Sequence, residues 1–100
     1  MQFYYQSELN NLEDETIKAL EDYTEDNFSN KYFYEVLKEF EDLRTDEDKV
    51  FYLENLAIDL NLKQFNLTEI QEIIVAYMFV NDLFGRSYVY ELMKMLDNML

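Results

Sequence analysis

Several residue types that carry out chemistry in small proteins are missing from this sequence. Its 100 residues include no Cys and no His. Without Cys, the chain can form no disulfide bond, thiolate zinc site or thiol nucleophile, which fits a cytoplasmic location. Without His, it lacks the side chain that most often transfers protons near neutral pH. We therefore predict a cytoplasmic protein that is not an enzyme.

Residues that interrupt helices are also scarce. The chain has no Pro and a single Gly, Gly85. One glycine cannot build a glycine-rich phosphate loop, so the nucleotide-binding motifs are excluded. Tight hairpin turns are disfavoured for the same reason, and helices are favoured.

Long hydrophobic runs are absent as well. The longest, residues 73–80, has eight residues, whereas a membrane-spanning helix needs about 20. Residues 1–5 lack the basic start and the apolar run of a secretory signal. We expect no membrane insertion and no export by that route.

The composition that remains is that of a folded protein. Hydrophobic residues make up 49% of the chain and aromatic residues 17%, whereas disordered acidic chains are poor in both. A chain of this length forms one domain, which we assign to residues 1–100. It should bury about 65% of the surface that the unfolded chain exposes.

Helical periodicity recurs in five stretches of the sequence. They cover residues 7–23, 29–43, 45–60, 67–84 and 87–100. Ser29, Thr45, Asn66 and Ser87 stand where each of the last four can be capped at its start, and Gly85 can end the fourth. A strand at residues 2–6 has no second strand to pair with. The prediction is an all-α, compact single-domain bundle of four to five helices with short loops.

The fourth and fifth stretches differ in their apolar pattern. Residues 73–80 are apolar nearly all round, which predicts a helix at the centre of the bundle. The fifth stretch has an apolar stripe that includes Leu92, Met93 and Leu96. Met95 lies off that stripe, so we expect it to be the exposed methionine of this helix.

Carboxylates alone can bind hard cations, so a calcium loop has to be considered. If Asp42 is taken as the first ligand, Arg44 takes the third ligand position and Leu53 that of the bidentate glutamate. The spacing therefore fails. An acidic group at the end of the first helix fits a solvated helix end better than a metal site, and it consists of Glu21, Asp22, Glu25 and Asp26. We predict no metal and no cofactor.

Acidic residues dominate the charge. The chain has 22 Asp and Glu against 8 Lys and Arg, a net charge of −14, whereas roughly 2 to 8 charges suffice for the solubility of a small domain. Residues 1–50 hold fifteen acids and five bases, so the first half contributes −10. Such a surface attracts basic proteins over long range and is repelled by phosphate. We predict a basic protein partner and no direct binding of nucleic acid.

One acidic ridge has a regular spacing. Glu35, Glu39, Asp42 and Asp46 step by four, three and four residues along the second helix and its exit. Carboxylates so placed are about 5 to 6 Å apart at Cβ, a scale comparable to the spacing of phosphates along a nucleic-acid strand. The ridge can therefore mimic a nucleic-acid backbone.

Aromatic side chains interleave with these acids, and buried tyrosines often anchor interfaces. The predicted partner-binding residues are Glu21, Asp22, Glu25, Asp26, Tyr32, Tyr34, Glu35, Glu39, Asp42, Asp46, Glu47 and Asp48. The competing interpretation is a merely solvated helix face, in which Lys31 and Lys38 form ordinary pairs with the acids.

This profile of a small, acidic, helical chain without Cys or His resembles immunity proteins that neutralise bacterial toxin nucleases. It equally resembles phage-encoded inhibitors of host nucleases, including anti-restriction and anti-CRISPR proteins. The resemblance implies an inhibitor that occludes the basic site of a nuclease or of another nucleic-acid-binding protein, with toxin immunity favoured. A different class of function also fits: a structural or regulatory helical module that self-associates through apolar surface.

Overall fold

A computed structural model of the chain describes residues 6–81 and 89–99. In these residues six α-helices and one short 3-10 helix follow one another, joined by short loops and with no strand. The helices are α1 (Gln6–Asn10), α2 (Asp14–Asn27), α3 (Asn30–Glu41), α4 (Asp46–Asp59), the 3-10 helix (Leu62–Phe65), α5 (Glu69–Val80) and α6 (Val89–Met99). The predicted all-α class is confirmed.

Two predicted helix starts are present as expected. The Ser29 hydroxyl accepts a hydrogen bond from the backbone amide of Tyr32 at 3.2 Å, at the start of α3. The Thr45 hydroxyl accepts from the amide of Asp48 at 3.1 Å, at the start of α4. Each hydroxyl satisfies an amide that has no partner within its own helix.

The start of α5 was wrongly predicted. Asn66 does not cap it, because Asn66 ends the 3-10 helix in the left-handed conformation, with φ of 57°. Thr68 is the cap, and with Gln71 it forms a capping box in which each side chain accepts from the other's backbone amide. A Gln three residues after a Thr completes this motif as well as a Glu does, whereas the prediction paired Asn66 with Glu69.

The first predicted helix is broken. It was expected to run without interruption over residues 7–23, but α1 ends at Asn10 and α2 begins at Asp14. Leu12, in the break, is 4% exposed. The periodicity of this stretch predicts an apolar stripe at positions 9, 12, 16, 19, 20 and 23. Leu12 and Leu20 of that stripe are buried, but Ala19 is exposed. The buried residues of α2 are Ile17, Leu20 and Thr24. The buried face of α2 therefore coincides only in part with the predicted stripe.

Helix α5 lies at the centre of the bundle, as its apolar sequence predicts. Every residue from 72 to 80 is buried. The backbones of α1, α3, α4 and α6 all approach α5, which leaves it no solvated face. Burial on all sides accounts for a helix that has no polar face.

The prediction for Met95 is wrong, because this side chain is 8% exposed. Helix α6 packs on α4 and α5 at once, so its buried surface is wider than one stripe and includes Leu92, Met93, Met95 and Leu96. Gln6, the last residue of the segment at residues 2–6 for which no pairing strand was expected, begins α1. The rest of that segment, with Gly85 and Ser87, lies outside the described residues.

Among the helices that are described, none has the length and apolarity required to cross a membrane.

Candidate functional site

A groove separates α3 from α4. Both helices rest on α5, and their backbones approach each other less closely than either approaches α5. The groove has a volume of about 220 Å³. Its lining residues are Tyr32, Glu35, Val36 and Glu39 from α3, and Tyr52, Asn55, Leu56 and Asp59 from α4.

The spacing of these residues places them on one face of each helix. Positions 32, 35, 36 and 39 recur at steps of three and four, as do positions 52, 55, 56 and 59, and such positions are neighbours on a helix surface. Val36 and Leu56, each buried, form the apolar floor. The polar side chains form the walls.

The two helices run in opposite directions along the groove. At one end the hydroxyl of Tyr52 donates a hydrogen bond to Oε2 of Glu39 at 2.8 Å. At the other end Tyr32 experiences the charge of Asp59. The short connection at residues 42–45 makes this antiparallel pairing, because it leaves the end of α3 beside the start of α4.

The groove has a negative electrostatic character. Three carboxylates line it, from Glu35, Glu39 and Asp59, and its described lining includes no Lys or Arg. Burial raises the pKa of Tyr32, and the charges of Asp59 and Glu39 raise it further. Burial also raises the pKa of Tyr52, together with its hydrogen bond to Glu39. Both phenols therefore stay neutral at physiological pH, and the Tyr52 hydroxyl remains a hydrogen-bond donor to Glu39.

Aromatic contacts fix the tyrosine walls to the core. The Tyr32 ring stacks on Phe28, with ring centroids 5.1 Å apart, and packs edge-on against Phe33 at 5.2 Å. Phe33 in turn contacts Phe79 of α5 at 5.8 Å. The Tyr52 ring lies 6.2 Å from Phe40, a buried residue of α3. The walls are thus held in place before any ligand arrives, which lowers the entropic cost of binding.

The structure brings together part of the predicted partner-binding set. Tyr32, Glu35 and Glu39 line the groove. Asp42, exposed at the end of α3, follows Glu39 by three residues and extends the same ridge. The exposed residues Asp46, Glu47 and Asp48 form the first turn of α4, beyond the end of the groove where Tyr52 lies.

Other predicted residues lie elsewhere. Tyr34 is 71% exposed, and two residues along a helix correspond to a rotation of about 200°, so it faces away from Tyr32. The acids of α2 do not line the groove. Of these, Glu21 is half-buried, and Asp22, Glu25 and Asp26 are exposed. Across residues 6–81 and 89–99 no group of three or more acidic side chains is arranged to hold a metal ion.

Sequence reasoning missed the α4 wall of the groove, which consists of Tyr52, Asn55 and Asp59. A signal for it exists in the sequence. In two helices joined by a short turn, residues that face each other have position numbers with a constant sum. The position numbers of Glu39 and Tyr52 add up to 91, and so do those of Tyr32 and Asp59. The position of each acid on α3 therefore predicts which residue of α4 faces it.

Two large apolar side chains lie exposed beside this wall. Phe51 is 66% exposed and Ile58 is 67% exposed. They are seven residues apart on α4, about two helical turns, and therefore share one side of that helix. Asn55 lies between them, four residues after one and three before the other.

No protein-family model matches the chain, and neither a curated protein nor a solved structure does. The groove itself is therefore the basis for assigning a function.

Proposed function

We propose that this chain is a cytoplasmic inhibitor that covers the basic site of a nuclease or of another nucleic-acid-binding protein, acting as an immunity protein against a bacterial toxin nuclease. The observation that carries the proposal is the groove of three carboxylates with no basic residue in its described lining. Like charges gathered at one place repel one another. A cationic partner would relieve that repulsion.

The overall charge supports the same function. A net charge of −14 on 100 residues draws a basic surface in quickly, and the paired contacts then hold it. The ridge of Glu35, Glu39 and Asp42 presents carboxylates along one side of α3, and these would occupy positions that phosphates take on the partner. Nucleic acid itself would be repelled.

The proposal is tested with the protein encoded next to this gene. That protein is purified, and its nuclease activity on DNA and RNA is measured with and without this chain. Immunity predicts that one equivalent of the chain abolishes cleavage, and that raised salt slows the association. A neighbouring nuclease that cleaves equally well in the presence of excess chain would contradict the proposal.

A phage inhibitor of host nucleases would use the same surface. It differs in its target, which would be a restriction or CRISPR nuclease of the host rather than the product of the adjacent gene. Measuring inhibition of such host nucleases in parallel separates the two versions of the function.

A second candidate function is self-association, and the exposed pair Phe51 and Ile58 favours it. Apolar contacts between copies would persist at high salt, whereas contacts between acidic and basic surfaces weaken. Sedimentation velocity at low and high salt distinguishes them. A dimer that is stable at high salt and is lost in Phe51→Ser would support self-association.

A further inference from the structure

Helix geometry places the exposed apolar side chains of α4 next to one wall of the groove. Asn55 lines the groove, and its amide nitrogen donates to the backbone carbonyl of Phe51 at 3.0 Å. Ile58 follows Asn55 by three residues, so it is a neighbour of Asn55 on the helix surface. An acidic groove is thus bordered on its α4 side by an apolar edge.

The size of the groove decides what it can hold. Its volume of about 220 Å³ falls below the roughly 300 to 1,000 Å³ of pockets that enclose small-molecule ligands. A cofactor-sized molecule would be largely left outside. One long side chain from a partner protein fits the available space better.

The walls of the groove match a guanidinium group. Glu35, Glu39 and Asp59 line the groove with carboxylate oxygens, Glu39 and Asp59 at opposite ends, and Asn55 adds an amide oxygen. A guanidinium has five N–H donors in a planar fork, whereas an ammonium is a compact and strongly hydrated charge. Guanidinium groups also pack well against aromatic rings, and Tyr32 and Tyr52 provide such rings here. Because the Tyr52 hydroxyl donates to Oε2 of Glu39 at 2.8 Å, the Glu39 carboxylate is oriented before the guanidinium arrives.

We propose that this surface docks an arginine-bearing, otherwise apolar segment of the basic partner protein. The guanidinium enters the α3–α4 groove, and the apolar side chains of the segment lie against Phe51 and Ile58. The inference rests on the proposed function and adds the chemistry of the contact. Charge complementarity favours this occupant over a second copy of the chain, whose own acids would be brought close to the groove.

The first test uses a short acetylated peptide in which one arginine is flanked by leucines. It is titrated into the ¹⁵N-labelled chain, and NMR shift changes are followed. We expect saturable shifts at the groove residues and at Phe51 and Ile58. A peptide with citrulline in place of arginine keeps the shape without the charge, and it should bind about tenfold or more weakly. Free arginine amide, which lacks the leucines, should also bind more weakly than the peptide.

Matched variants locate the contact. Glu39→Gln and Asp59→Asn should each weaken peptide binding about tenfold, since each removes a charge from the groove. Glu41→Gln removes an exposed acid of α3 that lies about 200° around the helix from Glu39, and it should leave binding unchanged. Phe51→Ser should weaken binding, and Tyr34→Ser, at an equally exposed aromatic position, should not. Circular dichroism confirms that each variant is folded.

Three results would overturn the inference: no shifts at the groove with the arginine peptide, equal affinity for the citrulline peptide, or equal losses in Glu39→Gln and Glu41→Gln. Equal losses would mean that charge acts only as a diffuse field.

The nuclease assay separates this inference from the proposed function. If Glu39→Gln and Asp59→Asn inhibit the nuclease as strongly as the wild-type chain, the function stands and the groove contact is wrong. If the arginine peptide binds as expected but no nuclease is inhibited, the groove contact stands and the proposed function is wrong.

Discussion

Helices α5 and α3 differ in how much of their surface is buried. Every residue of α5 from 72 to 80 is buried, whereas α3 buries only Phe33, Val36 and Phe40 and turns its acids outward. The apolar contacts that stabilise the fold are concentrated around α5, and the charges suited to recognition are concentrated at the α3–α4 groove. Changes around α5 should therefore alter stability, and changes at the groove walls should alter binding.

The largest effect is expected in α5. Ile74→Ala removes a side chain with 0% exposure, and it should lower the free energy of unfolding by about 2 to 5 kcal/mol, because apolar contacts are lost and a cavity remains. Urea unfolding followed by circular dichroism measures this. Ile58→Ala is the matched control at 67% exposure, and its change should stay within about 0.5 kcal/mol. Equal losses in the two variants would contradict the contrast.

A smaller loss is expected at the start of α5. Thr68→Ala removes the hydroxyl that accepts from the Gln71 amide at 3.2 Å, and it should cost about 1 kcal/mol. Thr68→Ser keeps the hydroxyl and should lose much less. The same unfolding experiment applies, and a Ser variant as unstable as the Ala variant would show that the cap is not the cause.

The groove walls should contribute little to stability and much to binding. Reversing Glu35 and Asp42 to Lys should change the unfolding free energy by less than about 0.5 kcal/mol each. Reversing Glu39 also removes the acceptor of the Tyr52 hydroxyl and should cost about 1 kcal/mol. Together the three reversals should weaken binding to the basic partner at least tenfold. Glu41→Lys and Glu69→Lys, both at exposed positions, are the controls. Glu72 is unsuited as a surface control, because it is 9% exposed. Surface plasmon resonance should show slower association and faster dissociation.

The smallest effect is confined to alkaline pH. The folded chain raises the pKa of Tyr52 above its ordinary value, so the proton on this phenol favours the folded state. That contribution is complete below about pH 10, the usual pKa of tyrosine, and is lost as the pH rises through the folded-state pKa. The stability difference between the wild-type chain and Tyr52→Phe should therefore shrink above about pH 10. Tyr34→Phe, which removes an exposed hydroxyl outside the groove, is the control, and a constant difference for Tyr52→Phe would argue against this role.

Local signals in the sequence predicted much of the fold. Ser29 and Thr45 cap the helices that they were expected to cap, because a cap depends on residues only three positions away. The central place of α5 was predictable too, since a helix without a polar face needs burial on every side. Asn66 shows the limit of such signals: Asn suits both a helix cap and a left-handed turn, and the structure uses the second.

Features that depend on packing between helices were not predictable in this way. Met95 was expected to be exposed because one stripe was considered, and contact with two helices buries it. The break after Asn10 carries no cap signal, since Glu13 precedes α2 without a side-chain cap hydrogen bond. The groove required the pairing of α3 with α4, in which Tyr52 and Glu39 are 13 residues apart. Sequence periodicity shows which face of a single helix is apolar, but it does not show which residues of another helix will face it.

The floor of the groove belongs to the core, since Val36 and Leu56 are buried members of the main apolar cluster. The polar wall residues beside them lie outside this core. Substitutions should therefore be tolerated more readily in the walls than in the floor. Point substitutions at Glu35, Asn55 or Asp59 could exchange one partner for another while the fold is retained. A deeper or shallower groove would need compensating substitutions inside the bundle. Divergent descendants of this protein should therefore vary in the charge of the groove long before they vary in its depth.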